Sequence, residues 1–243
     1  TFPKDRSVAL RWLRFAWADS LLGFPTGYQI QRTRVFNQSV DPSQQRDIDR
    51  LFPKVRLSSF VASVIRDTRN DAVDPTAGQY FSANGQLAGR AIGSEVGFAK
   101  SYFTAQSFRT LPRTGGIVFA TSARLGAAAG FPNDSGSRDL PASERFFAGG
   151  DTTVRGFALD RLGVQHVPAR ASDTLDDAGF PLGGNALVLF NAELRVPVGK
   201  GVKVVGFADV GNVFKTVGDA SLRDLRPALG TGFRYRSPVG PLR

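Results

Sequence analysis

Between Ala186 and Val196 the chain alternates with a period of two. Ala186, Val188, Phe190, Ala192, Leu194 and Val196 are apolar, and Asn191, Glu193 and Arg195 stand between them. Successive side chains of a strand point to opposite faces, so this segment has one greasy face and one charged face. Such a strand belongs at a boundary between an apolar phase and water. The pattern recurs. Leu229, Thr231, Phe233 and Tyr235 oppose Gly230, Gly232, Arg234 and Arg236. Ile117, Phe119, Ala123 and Leu125 oppose Ser122 and Arg124. Within 79–90, Phe81, Ala83 and Leu87 oppose Ser82, Asn84, Gln86 and Arg90. Residues 7–17, 27–37, 55–67 and 96–110 are rich in β-branched and aromatic residues, with an alternation blurred by Arg, Ser and Gln. They are read as strands as well. Most long apolar-rich windows contain Gly or alternate at the wrong period for a helix.

Periodicity does not say which face of a strand looks inward. A soluble sandwich or barrel would turn the apolar faces toward a shared core. Strand length favours a different solution. Many of these segments run about 11–14 residues, against about five or six in globular strands and ~9–11 needed by a tilted membrane strand. Connections are expected at 18–26, 37–54, 68–78, 91–95, 111–115, 130–184, 198–201, 216–225 and 238–241. The tightest carry Gly and Pro, as in Pro112–Gly116, Pro197–Gly201 and Pro238–Gly240. From residue 96 onward short turns alternate with longer loops, the asymmetry of an up-and-down barrel in a membrane. The segment 130–184 is far too long for an ordinary loop and is expected to be functional or disordered.

Composition narrows the function. The 243 residues contain no Cys and no Met, so Thr1 is not a natural start and a fragment or processed chain is expected. Lack of Cys removes disulfides, Cys-based zinc sites and thiol catalysis together. The net charge of +10 invites a reading as a nucleic-acid binder. The basic residues are scattered, however, and match no nucleic-acid-binding motif; Arg lining a solvated barrel interior accounts for the charge without nucleic acid. No stretch of ~20 apolar residues forms a membrane helix, and the slightly negative mean hydropathy does not exclude barrel strands. His166 is the lone histidine, no G-x-S-x-G elbow accompanies it, and Asp173, Asp176 and Asp177 lack the spacing of a calcium loop. No Walker or dinucleotide Gly pattern is present. Enzymatic activity, a metal and a cofactor are therefore not expected.

Inside the long loop stands Phe146-Phe147-Ala148-Gly149-Gly150-Asp151-Thr152-Thr153-Val154-Arg155-Gly156-Phe157. It resembles the signature of the outer-membrane assembly-factor barrels, the BamA and TamA type, also called bacterial surface antigens. Their hallmark is a V-R-G-F/Y tetrapeptide at the tip of a loop that folds back into the barrel. Two further elements agree. Phe207-Ala208-Asp209-Val210-Gly211 matches the family's F-x-D-x-G motif on a later, lumen-facing strand. The segment Gly230 to Arg243, with Ser237-Pro238-Val239-Gly240-Pro241-Leu242, resembles its penultimate hairpin. The likeness covers residues 55–243 well and 1–54 loosely.

The resemblance implies an all-β, antiparallel up-and-down transmembrane barrel in the bacterial outer membrane. It is expected to be incomplete over 1–243, with about nine to ten strands of about sixteen. The first strands, the closing strand with its aromatic targeting signal and the periplasmic POTRA repeats are expected to lie outside the chain. The implied function is assembly, insertion or translocation of client outer-membrane proteins in contact with outer-membrane lipid, with accessory subunits beyond this chain. Clients pair by β-augmentation at a weak seam between first and last strands. A two-partner secretion transporter or a barrel fused to an enzyme within the same superfamily, a passive pore from a different class, and a soluble β-sandwich binding module remain as alternatives.

The same motifs set out a site. Asp209 shares a strand face with Phe207 and Gly211, and Glu193 lies on the polar face of the preceding strand, so antiparallel pairing can bring the two carboxylates together. A guanidinium at Arg155 can satisfy both. Gly156 is expected to permit close approach to the wall and Gly211 to leave space for the loop. Gly149 and Gly150 belong to the loop, Val154 opens the tetrapeptide, and Phe157 is expected to pack against Phe207. The resemblance supports this lock, which would hold the loop inside the lumen and stabilise the wall near the seam.

Overall fold

In the computed structural model of the chain, the structure describes residues 8–10, 22–23, 26–33, 55–132, 138–199, 201–237 and 240–242. The strands are β1 (Val8–Leu10), β2 (Leu22–Gly23), β3 (Thr26–Thr33), β4 (Val55–Asp67), β5 (Gly78–Ala88), β6 (Phe98–Thr110), β7 (Val118–Gly130), β8 (Ala186–Gly199), β9 (Val202–Phe214), β10 (Arg226–Ser237) and β11 (Gly240–Leu242). They form one antiparallel sheet in the order β1-β3-β4-β5-β6-β7-β8-β9-β10-β11, with β2 paired to β4. Each strand from β3 onward lies beside its sequence neighbour, the up-and-down arrangement. β2 and β3 meet β4 in one continuous register, from Leu22↔Arg66 through Thr26↔Ala62 to Thr33↔Val55, so they are two segments of one strand line. Among the described residues β1 and β11 are the edges and do not pair with each other, so the sheet is open.

The expected boundaries shift most near the N-terminus. The strand expected at 27–37 begins earlier, because Leu22 and Gly23, expected within a connection, already pair with β4. Of the strand expected at 7–17, Val8–Leu10 is observed and the remainder lies outside the described residues, as do the end of the strand expected at 27–37 and the whole of the expected connection at 37–54. From β4 on, the long strands stand close to where alternation or β-branched and aromatic content puts them. The long connection runs from 131 to 185, between β7 and β8.

The two faces of the sheet separate, apart from Arg66 and Arg109 near strand ends, which pair with Phe81 and Phe119 on the apolar face. A single cross-strand row reads Phe81, Ala105, Ala123, Phe190, Val210 and Pro227, and Phe119 pairs with Leu194 on the same face. Leu229 is 81% exposed, Phe233 71% and Phe60 52%. A continuous apolar face of this kind is unfavourable in water, since each such side chain stabilises by about 1.5–3 kcal/mol when removed from it. Against lipid it is satisfied. A strand of 13 residues such as β6 or β9 extends about 43 Å, which at ~45° tilt spans the ~30 Å hydrocarbon layer.

The opposite face carries Arg124, Asn191, Glu193, Arg195, Asp209 and Arg234, and this is where the basic residues gather. Toward the long-loop end the same inner face turns apolar. Leu57, Phe98, Leu187, Leu189 and Val213 pack there against Leu140, Phe146, Val154 and Leu162 of the loop. The buried core is thus the seam between the loop and the inner wall.

Candidate functional site

Among the described residues of the 131–185 connection are one 3-10 turn, Ala142–Glu144, and two isolated bridges, Phe146 with Gly184 and Leu175 with Pro181. At the base, Phe146 and Gly184 exchange backbone hydrogen bonds of 2.7 and 3.0 Å. The Phe146 ring lies over Gly126 of β7, stacks on Tyr102 at 6.0 Å and receives the Lys100 ammonium 5.1 Å from its centroid. At the tip, the Gly149 N–H donates to Thr153 Oγ1 at 2.7 Å and the Gly150 N–H to the Phe157 carbonyl at 2.9 Å. Gly149 and Gly150 have φ of +121° and +89°, a region that favours glycine, and a Cβ at Gly149 would run into the backbone of Ala158 and Arg161.

This folded tip delivers Arg155 to the inner wall. The Arg155 backbone N–H and Nε donate to Asp209 Oδ2 at 3.0 and 2.7 Å, and Nη2 donates to Oδ1 at 2.7 Å. Nη1 donates to Glu193 Oε1 at 2.6 Å. Nε and Nη2 together give the two-point geometry that fixes a guanidinium's plane. Its carbon also sits 3.7 Å from the centroid of the Phe207 ring. Asn191, directly opposite Asp209 in the β8–β9 register, donates to Asp209 Oδ1 at 2.8 Å and to the Thr153 carbonyl at 2.6 Å. Burial alone would lower the Arg155 pKa. The Asp209 and Glu193 hydrogen bonds outweigh it and raise it, so the guanidinium is a fixed positive charge.

Glu193 is shared. Its second oxygen accepts from Arg195 Nε at 3.0 Å and Arg234 Nη2 at 2.8 Å. Arg124 Nη2 donates to the Thr152 carbonyl at 2.6 Å and to Asn191 Oδ1 at 2.8 Å, which fastens the tip from the β7 side. These four residues were not singled out from the sequence as parts of the site. Asn191 and Arg195 stood on the recognised polar face of β8, but which of its members meet the loop is set by the pairing register.

Three expected roles change. Gly211 makes room for Leu189, its neighbour across the β8–β9 pair: a Cβ there would sit 2.5 Å from Leu189 Cδ2. Room for the loop is made in β7, where a Cβ at Gly126 would meet the Phe146 ring and one at Gly130 the Arg138 carbonyl. Gly156 has φ +91° and ordinary space around it, with Ala228 Cβ 3.9 Å away, so its conformation and not close approach calls for glycine. The Phe207 ring is covered by Arg155, whereas Phe157 packs half-buried against the cluster containing Val154 and Leu189.

Asp173 of the long loop is buried. It accepts from the Arg170 N–H at 2.7 Å and the His166 N–H at 3.0 Å, with His166 Nδ1 2.6 Å from its other oxygen. Burial alone would raise the carboxyl's pKa. The Arg170 and His166 hydrogen bonds prevail and hold it below its usual value. Asp176 is likewise occupied, accepting from the Ala178 and Phe180 N–H groups.

The geometry is that of an open, two-faced membrane sheet whose inner wall binds a long loop through Arg155, Arg124, Asn191 and an apolar cluster. Residues 15–243 match the Omp85 superfamily domain, and the chain belongs to that superfamily. It is 26% identical over 226 residues to outer membrane protein assembly factor BamA of Nitratidesulfovibrio vulgaris, covering 89% of this chain and 26% of that protein. It is 31% identical over 156 residues to a SAM50-like protein of Schizosaccharomyces pombe, covering 61% of the chain and 30% of the relative. With sorting and assembly machinery component 50 homolog A of Xenopus laevis it shares 30% identity over 183 residues, 74% of the chain and 34% of the relative. The chain thus spans about a quarter to a third of the length of these relatives. The fold superposes on the crystal structure of BamA from Haemophilus ducreyi lacking POTRA domains 1–3, with a TM-score of 0.64 at 20% identity. That match covers 90% of this chain and 46% of the other.

Proposed function

We propose that residues 1–243 form part of the transmembrane barrel of an outer-membrane protein that inserts or translocates other proteins, and that the V-R-G-F loop works as a lock on the inner wall. The observation that carries this reading is the four hydrogen bonds from Arg155 to Asp209 and Glu193. The similarity to the BamA and sorting-and-assembly relatives supports the assembly role. The role of the lock is mechanical: it covers the inner wall with an ordered loop and braces β8 and β9 against each other, while the outer face meets lipid. Client outer-membrane proteins are the proposed partners, with POTRA repeats and accessory subunits outside this chain. The bacterial outer membrane is the proposed setting.

The test is Arg155→Ala in the full-length parent, assayed for assembly of a client barrel into vesicles and for ion conductance. The lock reading expects assembly to fall by tenfold or so, the effect of about 1.4 kcal/mol. A passive pore would conduct ions irrespective of Arg155 and assemble nothing. A two-partner secretion transporter would instead export a soluble client while leaving barrel assembly unsupported.

A further inference from the structure

The turn between β4 and β5, residues 68–77, stands on the opposite side of the sheet from the long loop and does not stay with its own strands. It is rigidly built. Asn70 Oδ1 accepts from the Thr76 and Ala77 N–H groups, each at 3.0 Å, and Asp71 Oδ1 accepts from the Val73 N–H at 2.8 Å. Its apex reaches β8 and β9. Lys203 Nζ pairs with Asp74 Oδ2 at 2.5 Å, Arg195 Nη1 lies 3.8 Å from Asp74 Oδ1, and the same Nη1 donates to the Pro75 carbonyl at 3.2 Å. Pro75 is buried. In the sheet β9 is the fourth strand beyond β5, about 19 Å along the wall at ~4.8 Å per strand. The turn therefore crosses the concave face as a strap.

The partner it grasps is the one that serves the loop. Arg195 holds Asp74 and Pro75 on one side and donates Nε to Glu193 on the other, and Glu193 in turn accepts from Arg155. One chain of charges, Asp74, Arg195, Glu193, Arg155 and Asp209, runs from the turn to the tip of the long loop. A cavity of about 240 Å³ lies between the two, bordered by Arg69 and Pro75 from the turn and Thr152 and Arg155 from the loop.

We propose that the 68–77 turn is a second lumen strap, and that Asp74 and Arg195 are positioning residues that hold Glu193 in reach of Arg155 and so couple the short-turn end of the lumen to the loop lock. This rests on the lock reading. Paired charges linked through a shared group are expected to respond together, and coupled sites commonly shift one another's equilibria by about fivefold or more.

The test uses the full-length parent in phosphatidylcholine vesicles, carrying Val154→Cys as its single thiol and exposed to a water-soluble maleimide. Val154 is fully buried beneath the loop tip, so labelling reports lifting of the tip. Asp74→Asn is expected to speed labelling about fivefold, and Asp74→Glu to return it toward the parent rate. A thiol at Ala88, buried at the loop base, is expected to label at the parent rate in Asp74→Asn. Arg155→Ala is expected to speed Val154→Cys labelling further. Parent-rate labelling in Asp74→Asn, with faster labelling in Arg155→Ala, overturns the strap and leaves the lock standing. Equal acceleration at both thiols overturns it as well, because the whole fold has loosened. No effect of Arg155→Ala overturns the lock and the strap together. Should Asp74→Asn fail to fold, Lys203→Gln carries the same expectation and the same refutation.

Discussion

Phe146 of the long loop occupies the space that a side chain at Gly126 of β7 would fill: a Cβ there would lie 2.7 Å from the ring's Cζ. The loop's base is therefore seated in a notch cut into the wall by one missing side chain. Gly126→Val must push the ring aside together with its stack on Tyr102 and the Lys100 ammonium above it. Overpacking of this kind costs about 1–3 kcal/mol. Limited proteolysis of 131–185 should become faster in Gly126→Val than in Gly232→Val, where the added side chain meets open space. Equal cleavage rates would remove the notch from the account.

Asp209 and Glu193 are not equivalent partners of Arg155. Asp209 receives three hydrogen bonds from that residue and its side chain is fully buried, whereas Glu193 divides its oxygens among Arg155, Arg195 and Arg234. Breaking a buried pair by removing one partner costs about 3–5 kcal/mol, and the low end applies because Arg155 keeps some contact with solvent. Asp209→Asn is expected to destabilise the folded barrel by about 3 kcal/mol. Glu193→Gln should do less harm to the tip, because Asp209 still holds Arg155, and more to the placement of Arg195 and Arg234. Urea unfolding in vesicles, with protease digestion of the tip, separates the two. Identical behaviour would mean that the two carboxylates act as one diffuse charge.

Acid should loosen the loop from within. Asp173 has a pKa held below its unfolded value, so its contribution to stability is present above the usual carboxylate range. It is lost as pH falls through the lowered folded value. Hydrogen exchange over residues 164–174 is expected to speed up only below about pH 4. Asp173→Asn should show the loosened segment already at neutral pH. A segment equally protected at all acid pH values would contradict this.

The outward face is tested by charge placement. An Arg at the bilayer midplane costs a barrel about 2–4 kcal/mol, and one near the interface ~0–1. Phe190→Arg, in the middle of β8, is expected to fall in the first range and Val198→Arg, beside the β8–β9 turn, in the second. Folding titrations in vesicles read the difference directly. Equal costs would mean that Phe190 does not face lipid.

How much of this was legible in the sequence follows from the range of each interaction. Alternation and residue type are local, so the strands from Val55 onward and the two faces of Ala186–Val196 could be read directly. The motifs marked Arg155 and Asp209, and the polar face of the preceding strand added Glu193 to the same site. Leu187 and Leu189 sit on the charged face of β8 yet are buried, because the loop covers that end of the strand; no period-two reading shows a cover. Asn191, Arg124, Arg195 and Arg234 joined the site through register, which one sequence does not display. The space-filling roles of Gly126 and Gly211 depend on which side chain stands across the pair. Asp74 was the least visible, since its partners lie more than a hundred residues away, on strands that its own turn reaches only by crossing the lumen.

The central claim is that Arg155 holds the tip of the long loop at one place on the inner wall. Spin labels at Thr152→Cys on the tip and Thr231→Cys on the outer face of β10, in the full-length parent in vesicles, measure that placement as a distance distribution. A single narrow distribution that broadens in Arg155→Ala is the predicted result. A distribution already broad in the parent, or one left unchanged by Arg155→Ala, would contradict the account.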